Sequence, residues 1–128
     1  MSGSLGLGEV ALLMAAALSA VWCVVHVVMG GRDVAGPLRH SSALEPIVRD
    51  TAWLCWQYVS GTLALLTVLF VLGALIARQY AEVATALSGL FLMIGILVVP
   101  AIGQRYGALP QGFLFLPVTV LGLTGLFL

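Results

Sequence analysis

Two Cys and two His are the side chains in this chain best suited to binding a soft metal. Cys23-x-x-His26 places a thiol and an imidazole one helical turn apart, and Cys55 supplies a second thiol. Thiolate and imidazole suit copper(I) or zinc, so Cys23, His26 and Cys55 form a candidate three-ligand metal site. His26 is also a candidate cofactor ligand, because haem in a small helical bundle is held by axial His. The second His, His40, lies in a polar stretch between Arg39 and Ser41, so a bis-His haem would need one ligand from a loop. A neutral His26 hydrogen-bonded to a neighbouring helix accounts for the same residues with no ligand at all.

The carboxylates offer one further chemistry. Glu9 stands at the start of a long apolar run. In overall length the chain resembles short four-helix multidrug transporters, which carry one Glu in the first helix. That resemblance implies proton-coupled export as an oligomer, with Glu9 as the coupling group. Glu9 serves equally as a first-turn acid favoured by the helix dipole. Signatures of other chemistry are missing from the sequence: no Gly-rich phosphate loop with Lys, no Gly-x-Ser-x-Gly, no Cys-x-x-Cys. Ser, His and acid do coexist over residues 39–45, where they are better placed to cap a helix than to attack a substrate.

Whatever these residues do, they do it in a bilayer. Of 128 residues, 62% are hydrophobic and 8% charged, against about 25% charged in a soluble domain. Five Arg balance five acids and there is no Lys, so no basic field exists to hold nucleic acid. The charges mark off uncharged stretches at residues 10–31, 51–77, 83–104 and 106–128, which are 22, 27, 22 and 23 residues long. A spanning helix needs roughly 20. Backbone amides in hydrocarbon need internal partners, so each stretch must be helical. The expectation is an all-α, integral membrane four-helix up-and-down bundle forming one domain over residues 1–128. Its helices lie near residues 5–29, 53–77, 81–102 and 109–128. Residues 1–8 lack the basic region of a leader, so the first helix is expected to be retained.

The connections are unequal. Residues 78–80 make a tight second turn, and residues 103–108 a short third. The first connection, residues 30–52, is expected to be a long loop opened by Gly30-Gly31 and broken again at Gly36-Pro37. Ser42 and Glu45 match a capping box for helix two, and Pro46 alternatively suits its first position. Arg32, Arg39, Arg49 and Arg105 then share one side of the membrane, with Arg78 alone on the other. Four against one places that side in the cytoplasm and both termini outside. These four Arg are also candidate contacts for lipid headgroups.

Helices in lipid associate through small and polar residues. Helix one carries such a face, including Ala15, Ser19, Cys23 and His26, opposite a face of Val, Leu and Met. Helix three repeats it with Thr85, Ser88 and Gly95. Helix two divides its semi-polar residues between two seams, one including Thr62 and the other Gln57 and Ser60. Two seams suit a helix that touches its own bundle on one side and another chain on the other. Pro117 is expected to bend helix four, which shows no distinct face. The leading expectation is therefore a non-enzymatic accessory subunit of a larger membrane complex, energy-transducing or photosynthetic, packed against partner subunits or its own copies. The use of Arg to the exclusion of Lys points to a GC-rich bacterium and its inner membrane. An oligomeric transporter and a metal or haem redox protein centred on His26 are the alternatives.

Overall fold

The computed structural model describes residues 5–128; residues 1–4, the start of the stretch read as lacking a leader, lie outside the described residues. The described chain is helical with no strand, and four segments are long and apolar enough to cross a membrane. We designate the helices α1 (Leu7–Arg39), α2 (Pro46–Leu75), α3 (Arg78–Ala101) and α4 (Phe115–Phe127), the last being the regular part of a fourth membrane-long segment that runs Pro110–Phe127. Each helix packs on its two chain neighbours, and α4 closes the square against α1. The protein is a multi-pass membrane bundle.

The first connection differs from the sequence expectation. Gly30-Gly31 does not end α1, and the loop expected over residues 30–52 shrinks to six residues between Arg39 and Pro46. The helix changes its winding instead. It is α-helical over Leu7–Val25, π-helical over His26–Ala35, and finishes with one α turn, Gly36–Arg39. In the wider winding each amide reaches five residues back, as Gly36 N–H does to Gly31 O. A glycine pair lowers helix stability by removing side-chain contacts and adding backbone freedom. It supplies no obligatory stop while the amides keep partners. Pro46 begins α2 in its first turn, where a missing N–H costs nothing. The Ser42 capping box does not form: Ser41 Oγ accepts the Ala43 N–H instead, at 3.3 Å.

α4 also departs from expectation. It starts at Phe115, after a run of turns, so Pro117 falls in its first turn and removes no intrahelical bond. Pro117 therefore does not bend the helix. Phe113 O, which would have accepted from residue 117, takes the Leu116 N–H at 3.1 Å. A parallel substitution occurs in α3. Pro100 cannot donate to Ile96 O, and the Tyr106 hydroxyl donates there at 2.7 Å.

The buried core follows the small faces. Ala15, Ala16 and Ser19 of α1 meet Leu66, Phe70 and Ala74 of α2, with Ala81, Ala84, Thr85 and Ser88 of α3. α4 has a distinct inner face, Val118, Gly122 and Leu126, which the sequence reading missed. Gly122 and Gly125 let its backbone approach: a Cβ on Gly125 would lie 2.5 Å from Leu12 Cγ, and one on Gly122 would overlap Thr85 Oγ1. α2 uses a single stripe inside the bundle, Trp56, Ser60, Leu63, Leu66, Phe70 and Ala74. Neither seam expected for it matches that stripe. Thr62 is half-buried and returns its hydroxyl to Tyr58 O at 2.7 Å.

Candidate functional site

α1 meets α2 near the Arg-rich end through one ring on another. His26 begins the π-helical segment, and its imidazole stacks on the Trp56 indole with centroids 4.0 Å apart and planes 14° from parallel. Gly30 makes room for this. A Cβ there would stand 2.9 Å from the Trp56 ring, so any larger residue would push the indole off the helix. π-helical turns are rare and gather at functional sites, and an imidazole inside an apolar span is a candidate site by default.

Polar contacts surround the stack. His26 Nε2 lies 3.5 Å from Trp56 O, at the outer limit of a hydrogen bond. Ser60 Oγ donates to the same carbonyl at 3.0 Å. One turn earlier on α1, the Cys23 thiol points to Ser60 O at 3.8 Å. Trp56 O already accepts the amide and hydroxyl of Ser60, so the imidazole makes only a long third contact there, whereas the thiol meets a spare lone pair of Ser60 O. The arrangement fixes the rotation and spacing of α1 on α2 and leaves the imidazole half-buried.

The three proposed metal ligands do not converge. Cys23 turns toward Ser60, while Cys55 is exposed, about 100° around α2 from Trp56. Among the described residues no three His, Cys, Asp or Glu side chains stand close enough to share a metal ion. The bis-His haem pair fails on distance. His40 is not in a loop beside His26 but at the end of the same rod, where its Nδ1 lies 2.8 Å from Gly36 O. Fourteen residues of helix separate the two rings by roughly 20 Å.

Glu9 Oε2 accepts the Gly6 N–H at 2.9 Å and so caps the exposed start of α1. Of the four Arg at the other end, Arg32 pairs with Asp33 at 3.2 Å and Arg49 with Asp50 at 3.6 Å. Arg39 lies over the Trp53 ring, 4.5 Å from its centroid. Arg105 makes no such contact among the described residues. Gly95 crosses Gly112 so closely that a Cβ on either would overlap the other's backbone.

Several contacts escaped the sequence reading. Trp22 Nε1 donates to Leu114 O at 2.9 Å and pins the start of α4 to α1. Ser88 and Thr119 share a hydrogen bond of 3.0 Å between α3 and α4. Arg78, taken only as a topology marker, donates to Leu126 O at the end of α4 and sits 3.5 Å from Glu82. The spacing 56, 60, 63, 70 and 74 was the available signal for Trp56. Comparison with protein families, curated proteins and solved structures gives no match.

Proposed function

We propose that the chain is a non-enzymatic integral membrane subunit, packed through α2 against another membrane chain or a second copy. Its address is a bacterial inner membrane, with the Arg-rich end in the cytoplasm and both ends of the chain outside. One observation carries the reading. Gln57, Gly61 and Ala64 lie on the side of α2 turned away from the bundle, and all three are exposed. Facing lipid, small residues gain nothing, and a Gln amide about 10 Å past Asp50 loses its water partners. Facing a helix, the small residues admit a close backbone and the amide gains a hydrogen bond.

The test is the native size after extraction in mild detergent. The chain should migrate within an assembly larger than its own 13.4 kDa. Gly61→Leu should release it, while Val24→Leu, on an exposed face of α1, should not. A partner-free monomer, or a Gly61→Leu protein that keeps its assembly, overturns the reading.

A further inference from the structure

Because α4 starts late, the fourth corner of the bundle is unfilled near the Arg-rich end. α2 and α3 continue past that level, and the turns over residues 109–114 cover only part of the gap. What remains is an open apolar groove of about 420 Å³. It is lined by Val59 and Leu63 of α2, by Val98 and Ile102 at the end of α3, and by Leu109 and Phe115. On α3 it runs from Phe91 to Ile102, about 16 Å of helix. Its volume falls in the range of ligand sites. Val59, Val98 and Ile102 are 46%, 45% and 59% exposed, so the groove opens toward lipid.

The groove is apolar throughout except for Gln111, and the nearest cation in the chain is Arg105. Arg105 O accepts the Leu109 N–H at 3.1 Å, which places the Arg105 backbone beside the groove residue Leu109. Gln111 lines the groove beside it. Arg32, Arg49 and Arg78 have carboxylate partners and Arg39 a ring, whereas Arg105 has neither among the described residues. An unpaired guanidinium within one turn of Ile102 and Leu109, which line an apolar slot, suits an anion with a hydrocarbon tail.

We propose that this groove is a binding site for an anionic glycerophospholipid. One acyl chain lies along α3 between Val59 and Val98, and the phosphate sits on Arg105. The site is independent of the α2 surface above, because Val59 and Leu63 lie on the opposite side of that helix from Gln57 and Gly61.

Native mass spectrometry of the purified full chain, titrated with phosphatidylglycerol or phosphatidylcholine, tests it. Phosphatidylglycerol should be retained in preference. Arg105→Gln should lower its retention about fivefold, the scale of one arginine at an anionic surface, and leave phosphatidylcholine unchanged. Arg32→Gln, which removes a charge already paired to Asp33, should change neither lipid. Val98→Trp fills the slot and should lower both, with helicity checked by circular dichroism. Equal retention of the two lipids by the native chain overturns the proposal. So does an Arg32→Gln effect as large as that of Arg105→Gln, or a folded Val98→Trp protein that retains lipid like the native one.

Discussion

The two ends of the bundle are built differently. At the end near Gly8, Gly73 and Arg78, backbones touch: a Cβ on Gly8 would lie 2.9 Å from Gly125 O, and one on Gly73 2.5 Å from Ala81 N. Most of the buried core lies in that half, and Arg78 closes it by donating to the last turn of α4. At the Arg-rich end the helices are separated by rings and a groove. His26 stacks on Trp56, Trp22 reaches across to Leu114, and among the described glycines of this end only Gly95 and Gly112 bring two separate segments to backbone contact. Closely apposed backbones have one solution, so the first half is rigid by construction. Ring contacts and a lipid-facing slot admit other occupants, and every feature here that can meet a partner or ligand is in the second half.

The largest effect should come from filling the closed half. Gly122→Val drives a branched side chain into Thr85 Oγ1 and toward Phe70, whose ring would stand 3.1 Å from the new Cβ. Phe70 is fully buried and Thr85 nearly so, so neither can move aside. Overpacking of this kind costs about 3 kcal/mol. Unfolding of the detergent-solubilised protein by a denaturing detergent should shift by that amount. A native-like midpoint would show that the half is not closed.

Trp56→Ala should cost less, because the indole is only half-buried. Truncating a fully buried aromatic costs about 3–5 kcal/mol, so about 2 kcal/mol is expected here. The local signature is at Cys23. With the indole gone, the thiol now held against Ser60 O should react faster with a maleimide in a Cys55→Ser background. If stability falls but Cys23 labelling does not quicken, the stack contributes to folding without shaping the α1–α2 contact.

The same contrast explains what was legible in the sequence. Sparse charges located four spans, because moving an ion into hydrocarbon is costly wherever it occurs. The inner faces of α1 and α3 could be read because small residues there repeat at the helical period, as at Ala81, Ala84, Thr85 and Ser88. Glycine misled twice. Gly30-Gly31 was read as a stop, but amides that reach five residues back keep the helix intact. Gly122 and Gly125, which let α4 dock, gave helix four no distinct face in the sequence. At the site, His26 stood out by its ionisable ring. Trp56 did not, since an aromatic near a charged end looks like an interfacial anchor until its partner is known. Arg105 was legible only as one of four candidate headgroup contacts, and the groove beside it was out of reach, because the groove comes from where α4 fails to begin.

The smallest expected effect has the opposite sign and tests the π-helical segment itself. Gly30 and Gly31 are neighbours in one winding but differ in surroundings. A Cβ on Gly30 meets Trp56 at 2.9 Å, and one on Gly31 meets nothing within 4 Å. If the glycine pair exists only to admit the indole, Gly30→Ala should destabilise. Gly31→Ala should then stabilise by about 0.5–1 kcal/mol, as Ala does over Gly inside a helix. If both substitutions destabilise alike, the wide winding needs glycine at both positions for backbone reasons. The segment would then be held by its own conformation, and the ring stack would be a consequence of it.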